Sequence, residues 1–281
     1  MRMLVKNCYG KKLLRFWVCV LLCALVAGCA TVPHTGRRQF NVVSDADLNN
    51  LGLRAFREVI QHSSISSDKR LTEVVDQVAK RVSQAAESLD KPKFDWEIKL
   101  IDKKLPNAVC LPGGKIVIFT GILPYAQNEA GLAAIVGHEI AHAVARHGGE
   151  RLSQKLALES IIGFSGELLR GKDGKLDQRA RIILGALGLG GELGIILPYS
   201  RVHELEADRI GQLYMAKAGY NPSEYVNLWQ RMARINKPPI PVWLSTHPTD
   251  EERIVKLKEN LPSAMKLYEN ATSRYGTGAV L

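Results

Sequence analysis

Two histidines and a glutamate lie within five consecutive residues near the middle of the sequence, in His138-Glu139-Ile140-Ala141-His142. Four residues advance an α-helix by about 400°, so the two imidazoles share a face and can bind one ion. Glu139 is rotated by about 100° from His138, which brings its carboxylate within reach of a water molecule at that ion. The spacing predicts a metal site with a neighbouring group that can accept a proton.

A third ligand must come from elsewhere in the chain, because a catalytic zinc ion normally has three protein ligands and one open position. His147 lies five residues beyond His142 and points to another face of a continuous helix, so we interpret it as a cation near the helix C-terminus. A metzincin-type extension would need a glycine and a histidine where this sequence has Ala145 and Gly148, so that class is excluded.

A downstream acidic segment supplies a better candidate. Glu204 and Asp208 share a helix face at a spacing of four residues. This predicts Glu204 as the third ligand and Asp208 as the acceptor for the N–H of a metal-bound histidine, which would fix the tautomer of that histidine. His203 is the competing ligand, and Glu206 points about 200° away and is interpreted as a solvated charge. Two nitrogens and one oxygen with an open position favour one Zn²⁺ ion per chain.

Local signals predict the elements that position these residues. Asn128 can cap the helix that contains the two histidines, and Gly148-Gly149 predicts its end. A capping box at Ser44 begins a helix to about Gln61, and apolar periodicity predicts another over 67–89. Alternation in FDWEIKLID predicts a strand, and KIVIFT, after a glycine turn, predicts a second. The remainder is mostly helical.

The ordered motifs resemble the HtpX and CAAX-prenyl-protease type of zinc metallopeptidase, which combines HExxH with a downstream ExxxD. The segments that look like this family are TGRRQFNVVSDAD, NAVCLPGGKIVIFTGIL, HEIAHAVARH, YSRVHELEADRIG and THPTDEERI. They cover nearly the whole chain after residue 28. The resemblance is strongest to the soluble lipoprotein branch of periplasmic assembly and quality-control proteases, such as LoiP and BepA. It implies an α+β, helix-dominated, zincin-like fold with a small β-sheet.

The resemblance also implies roles for individual residues. It implies that His138, His142 and Glu204 bind zinc, and that Glu139 is the catalytic base. His247 would approach the metal as a reversible latch; the alternative is a loop histidine packed at a helix entry. The apolar, Gly-rich interval 155–198 would be a mobile cover beside the site, or else a core helix with a loop. The C-terminal helical repeat domain of BepA has no counterpart in the sequence, which favours a stand-alone protease.

The implied activity is a zinc endopeptidase that hydrolyses unfolded or misassembled envelope proteins with a metal-activated water. Glu139 would take the proton and pass it to the leaving amine. The strand Lys115–Phe119 is expected to be a sheet edge that pairs with extended substrate. The sequence does not identify the oxyanion donor, for which Tyr199 and His247 are candidates. The alternative is a non-catalytic, zinc-stabilised holdase or assembly factor, which would not need Glu139.

The N-terminal residues predict where in the cell the protein is located. Residues 1–28 contain five basic and no acidic residues, and the apolar run FWVCVLLCALVA. As a helix this run spans about 18 Å, too short for a hydrocarbon core of about 30 Å. It ends in VAGC, which resembles a lipobox. We therefore predict a signal peptide over 1–28, acylation of Cys29, and anchoring in a bacterial outer membrane with the catalytic domain in the periplasm. An ordinary secretory signal or an uncleaved anchor is the alternative.

The composition is that of a globular protein, with 46% hydrophobic and 23% charged residues. The net charge of +10 falls to +5 without residues 1–28, and no dense basic cluster follows, so we expect no nucleic-acid partner. After Cys29 the only cysteine is Cys110, which excludes an internal disulfide framework. The expected organisation is a lipid-anchored tether over 29–43, a catalytic domain over 44–270 and a flexible tail over 271–281. The oligomeric state is not determined.

Overall fold

The computed structural model describes five stretches of the chain: residues 29–158, 183–189, 199–235, 241–248 and 251–281. The fold is α+β and dominated by helices, with a small sheet, as predicted. The predicted signal peptide, 1–28, lies outside the described residues, and of Cys29 only the backbone is described. Within the described stretches, no helix is both long enough and apolar enough to cross a membrane.

The α-helices in these stretches include α1 (Asp45–Gln61), α2 (Lys69–Leu89), α3 (Leu123–Ala126), α4 (Glu129–Val144), α5 (His147–Leu158), α6 (Arg201–Lys217), α7 (Ser223–Ala233), α8 (Val242–Thr246) and α9 (Glu251–Glu269). The strands are β1 (Cys29–Thr31), β2 (Arg38–Phe40), β3 (Glu97–Ile101), β4 (Ala108–Leu111) and β5 (Lys115–Phe119). The first two strands form a hairpin, and the other three form one sheet.

The three-stranded sheet has the order β3-β5-β4. Strand β5 runs parallel to β3 and antiparallel to β4, with Ile98 opposite Ile116 and Val109 opposite Val117. All of β5 is buried in the middle of the sheet. The prediction that Lys115–Phe119 is an exposed edge is therefore wrong. Strand propensity places the segment in a sheet, but its position within the sheet depends on distant partners.

The predicted helix starts are largely confirmed. Ser44 accepts the backbone N–H of Asp47 at 3.2 Å, Asn128 caps α4, and Ser200 caps α6. Helix α2 begins two residues later than predicted, with Asp68 as its cap. Each cap offers a side-chain oxygen to a free N–H of the first turn, so the signal is local and readable from sequence.

Helix α4 is buried almost throughout and packs against α6 at a pair of glycines. A Cβ added at Gly137 would lie 2.7 Å from the carbonyl oxygen of Gly211, and one added at Gly211 would lie 2.7 Å from the carbonyl carbon of Gly137. The two backbones therefore touch. This close approach brings the HExxH motif against the ExxxD motif.

The predicted end of the HExxH helix at Gly148-Gly149 is wrong. Helix α4 ends at Val144, Arg146 adopts a φ of 58°, and α5 begins at His147. A residue in this left-handed conformation stops the helix and changes the direction of the chain. The break returns His147 to the vicinity of α4.

Both ends of the described chain are attached to the domain. Over 29–43, predicted as a tether, the chain forms the β1–β2 hairpin, and the N–H of Val42 donates to Ser153 Oγ at 3.0 Å. Over 271–281, predicted as a flexible tail, the carbonyls of Thr277 and Ala279 accept N–H groups from the first turn of α4. The C-terminal segment thus satisfies backbone donors that the helix itself leaves free.

The interval 155–198 is described only in part. Residues 183–189 lie over β4, where Leu184 and Leu187 are buried in one cluster with Val109. Residues 159–182 and 190–198 lie outside the described residues. The choice between a mobile cover and a core helix with a loop therefore stays a prediction.

Candidate metal centre

Four buried side chains point possible ligand atoms at one place. His138 and His142 come from α4, Glu204 comes from α6, and His247 follows α8. Their ligand atoms all lie within 4.8 Å of one another. The structure thus brings together the three predicted ligands and the predicted latch, which are spread over more than one hundred residues of sequence.

The spacing of these atoms suits a tetrahedral ion. His138 Nε2 lies 3.1 Å from both His142 Nε2 and His247 Nδ1. Glu204 Oε1 lies 3.3 Å from His142 Nε2 and 3.0 Å from His247 Nδ1. Tetrahedral zinc with bonds of about 2.0–2.1 Å holds its ligand atoms about 3.3 Å apart. These four separations therefore match the spacing of ligand atoms around one tetrahedral metal ion.

The hydrogen bond behind His138 fixes which of its nitrogens faces the site. His138 Nδ1 lies 3.0 Å from Asp208 Oδ1. An ionised carboxylate only accepts hydrogen bonds, so Nδ1 bears a proton and Nε2 is the nitrogen that can bind a second proton or a metal ion. Lone pairs that converge beside a carboxylate, away from water, require a cation between them. Asp208 thus lies where it can orient a metal-binding histidine.

The charges around the site favour a cation as well. Burial lowers the pKa of His138, but the carboxylates of Glu204 and Asp208 outweigh burial and raise it to about 9. Burial lowers the pKa of His142 well below its usual value. One positive charge is therefore stabilised among these side chains, and a proton and a metal ion compete to supply it.

Arg253, which the sequence analysis did not single out, binds both carboxylates. Its Nε donates to Asp208 Oδ2 at 2.7 Å, and its Nη1 lies 2.6 Å from Glu204 Oε2. The guanidinium lies 3.6 Å from the ring centre of Trp229. Burial would raise the pKa of Asp208 and of Glu204, but Arg253 and the neighbouring histidines together outweigh burial and lower both pKa values, so both carboxylates are ionised. The only signal for Arg253 in the sequence is its position in the family-like segment THPTDEERI.

Glu139 is separated from the ligand atoms by the imidazole of His247. It is buried and accepts a hydrogen bond from Trp243 Nε1 at 2.6 Å. The Nε2 of His247 lies 3.4 Å from the same carboxylate oxygen. The ring of His247 therefore fills the space between the Glu139 carboxylate and the ligand cluster.

The interpretations of His147 as a cation near a helix C-terminus and of Glu206 as a solvated charge are both wrong. His147 is fully buried, and burial lowers its pKa to about 4, so it is neutral. Its Nδ1 lies 2.9 Å from His142 Nδ1, and its Nε2 lies 3.1 Å from Glu206 Oε2. The break after α4 and the N-terminal loop that covers Glu206 cause both errors. His203, the competing ligand, instead contacts Glu150 at 2.9 Å.

Tyr199, a candidate oxyanion donor, packs beside the ligands. The centre of its ring lies 4.0 Å from that of His142 and 5.1 Å from that of His247. Burial raises the pKa of its hydroxyl to about 12, so the proton is retained for donation. A cavity of about 200 Å³ reaches Tyr199 and His142 beside Cys110 of β4.

Comparison with known proteins gives a consistent result. The sequence profile of Peptidase family M48 matches residues 67–261. The mitochondrial metalloendopeptidase OMA1 of Schizosaccharomyces pombe is 33% identical over 89% of this chain and 72% of its own length. The OMA1 enzyme of Saccharomyces cerevisiae is 31% identical over 89% of this chain and 76% of its own length. The Beta-barrel assembly-enhancing protease of Yersinia pestis is 28% identical over 78% of this chain and 42% of its own length.

These relatives contradict the predicted localisation. The two OMA1 enzymes, each of which matches 89% of the chain, are named mitochondrial, so the prediction of an outer-membrane lipoprotein facing the periplasm is wrong. The error has a physical reason, since a basic, acid-free N-terminus is also typical of mitochondrial transit peptides. Acylation of Cys29 rests on four residues and stays a prediction, as does a place in the lipoprotein branch.

Proposed function

The chain belongs to Peptidase family M48 and is a metalloendopeptidase; we propose that its metal is zinc and that its substrates are unfolded polypeptide segments. One observation supports the metal above all others. Two histidine nitrogens and a carboxylate oxygen meet at tetrahedral spacing beside a buried glutamate. Family membership also argues against the alternative of a non-catalytic holdase.

His138, His142 and Glu204 would hold the zinc ion. When bound, zinc would lower the pKa of a bound water towards about 7 and would polarise the substrate carbonyl. Glu139 takes the proton of the attacking water on its carboxylate and delivers it to the leaving amine. The hydrogen bond from Trp243 holds that carboxylate in place during both transfers.

His247 would act as a reversible latch. Its Nδ1 lies among the proposed ligand atoms, at 3.1 Å from His138 Nε2 and 3.0 Å from Glu204 Oε1, and would take a fourth position at the metal. A catalytic zinc site needs that position for water. The imidazole must therefore leave before Glu139 and water can meet, which makes this arrangement the resting form of the enzyme.

Strand β4, rather than β5, offers an edge to substrate. The carbonyl of Asn107 accepts the N–H of Phe119, and Val109 pairs opposite Val117. Alternate residues of an antiparallel strand face opposite edges, so the backbone of Ala108 and Cys110 faces away from β5. Within the described stretches, no backbone group pairs with those two residues.

Pairing at this edge requires an extended polypeptide, which a folded protein does not offer. Such contacts recognise substrate backbone rather than side chains. The proposal is therefore a preference for unfolded segments with little sequence selectivity, and it is not tied to a compartment.

The decisive experiment is Glu139→Gln. The variant should retain stoichiometric zinc by elemental analysis and lose cleavage of an unfolded polypeptide, because an amide cannot take the proton. Glu73→Gln is the control, since Glu73 is exposed on α2 and should change neither quantity. Full cleavage by Glu139→Gln, or wild-type protein without zinc, would contradict the mechanism. Equal cleavage of a disulfide-bonded protein and its reduced, alkylated form would contradict the substrate preference.

A further inference from the structure

A second group of buried charges lies behind His142, outside the metal ligands. It consists of two histidines and two glutamates from α5 and α6, joined by one arginine from the N-terminal hairpin: His147, Glu150, His203, Glu206 and Arg37. All four residues on the helices are buried. The group contacts the metal centre at one point, the 2.9 Å contact between the Nδ1 atoms of His147 and His142.

The direction of the protons in this group follows from its geometry. Glu206 Oε2 only accepts, so His147 Nε2, at 3.1 Å, bears the proton between them. His147 Nδ1 then has a lone pair and must accept from His142 Nδ1. This leaves the lone pair of His142 on Nε2, the atom that faces the metal site. Glu206 thus selects the tautomer of His142 through one intervening imidazole.

Arg37 holds Glu206 in place. Its Nε lies 3.0 Å and 2.9 Å from the two oxygens of Glu206. Its other edge donates to both oxygens of Glu150, at 2.9 Å and 2.7 Å. A planar guanidinium can serve two carboxylates in this way, whereas a lysine ammonium cannot fix both. The hydroxyl of Thr35 adds a hydrogen bond of 2.7 Å to Glu206.

Arg37 compensates the negative charge of the two glutamates. Two carboxylates in a buried space need a compensating cation. Burial would raise the pKa of Glu150, but hydrogen bonds from His203 and Arg37 lower it to about 2. Burial likewise opposes ionisation of Glu206, and hydrogen bonds from His147, Thr35 and Arg37 outweigh it.

The arginine comes from a part of the chain that the family profile does not match. Arg37 lies in the loop between β1 and β2, before the matched residues 67–261. The loop is fixed by the buried Val32, whose N–H donates to the carbonyl of Arg37 at 2.9 Å. The hairpin thus places the guanidinium against α5 and α6.

We propose that Arg37 is a positioning residue for catalysis, which fixes Glu206 and, through His147, holds His142 in the tautomer and orientation that bind metal. The inference rests on the proposed function, in which His142 is a zinc ligand. It makes the N-terminal hairpin a part of the active site, since the support behind one ligand is incomplete without it.

The test is a double-mutant cycle read out by zinc affinity. The full chain, Arg37→Ala, His147→Gln and the double variant would each compete for zinc with a chromogenic chelator. We expect Arg37→Ala to weaken zinc binding by about 10-fold, as is typical for loss of a group that orients a ligand. The double variant should bind no more weakly than His147→Gln alone, because Arg37 acts through His147. Arg38→Ala, which alters the exposed neighbouring side chain, should bind zinc as wild type does.

Wild-type affinity in Arg37→Ala, or full additivity in the double variant, would overturn the inference while the enzyme still binds zinc and cleaves. Wild-type protein that neither binds zinc nor cleaves would instead overturn the proposed function. If Arg37→Ala does not fold, Arg37→Lys is the deciding variant, because it keeps the positive charge and loses the planar guanidinium that binds both carboxylates. Its zinc affinity should fall at an unchanged melting temperature, and an unchanged affinity would refute the role.

Discussion

The two histidines of α4 that we propose as zinc ligands are supported in different ways. Behind His138, Asp208 accepts directly from the imidazole and is held by Arg253. Behind His142, a second imidazole, His147, separates the ligand from its carboxylate. In both cases the carboxylate is paired with an arginine. Asp208 contacts His138 directly, whereas Glu206 reaches His142 only through His147.

The two arginines also differ in exposure and origin. Arg253 is 1% exposed and belongs to α9, whereas the side chain of Arg37 is 26% exposed and belongs to the N-terminal hairpin. When one partner of a fully buried ion pair is removed, water cannot solvate the charge that remains. When the pair is partly exposed, water can solvate that charge in part. We therefore expect the support behind His138 to matter for folding, and the support behind His142 to matter mainly for ligand geometry.

The largest effect should follow Arg253→Ala. Loss of this cation leaves the carboxylates of Glu204 and Asp208 buried and uncompensated, which costs about 3–5 kcal/mol. The measurement is the free energy of unfolding in urea, with Arg209→Ala, an exposed neighbour on α6, as the control. A loss below about 1 kcal/mol would remove the energetic difference between the two supports.

Next in size, Asp208→Asn should weaken zinc binding more than Glu206→Gln does. Removal of a carboxylate that orients a ligand typically costs about 10–100-fold in metal affinity. We expect the direct contact to lie near the upper figure, and the contact relayed through His147 near the lower. Chelator competition measures both values. An equal loss of zinc affinity in the two variants would show that the intervening imidazole of His147 does not reduce the influence of Glu206 on His142.

A smaller effect is expected from His247→Ala. The histidine precedes the helix that contains Arg253, so the latch and the support behind His138 belong to the same part of the chain. Removal of the imidazole would leave the fourth position at the metal open to water, so basal proteolysis should rise several-fold. His62→Ala, an exposed histidine after α1, is the matched control. Unchanged activity across several unfolded substrates would rule out the latch.

The smallest effect concerns acid stability behind His142. Because the pKa of Glu150 is lowered from 4.5 to about 2, its ionised form stabilises the fold above pH 4.5, and this contribution disappears as the pH falls towards 2. The difference in unfolding free energy between wild type and Glu150→Gln should therefore be full at neutral pH and shrink across that interval. A difference that is constant with pH would mean that the carboxylate does not depend on Arg37 and His203.

Several features of the site were predictable because they depend on neighbours in sequence. The four-residue spacings of His138 with His142 and of Glu204 with Asp208 are set by the helix itself. The caps at Ser44, Asn128 and Ser200 likewise act within three residues of their own position. These local rules located the ligand-bearing helices and the candidate base before any packing was known.

The tertiary structure decided the remainder, because opposite charges meet wherever packing brings them together. Arg37 and Glu206 are 169 residues apart in sequence, and Arg253 and Asp208 are 45 apart. No periodicity links such pairs, and each side chain by itself reads as an ordinary surface charge. Burial converts these residues from solvated charges into the supports of the proposed metal ligands. The same dependence on distant partners makes β5 the centre of its sheet and leaves β4 at the edge.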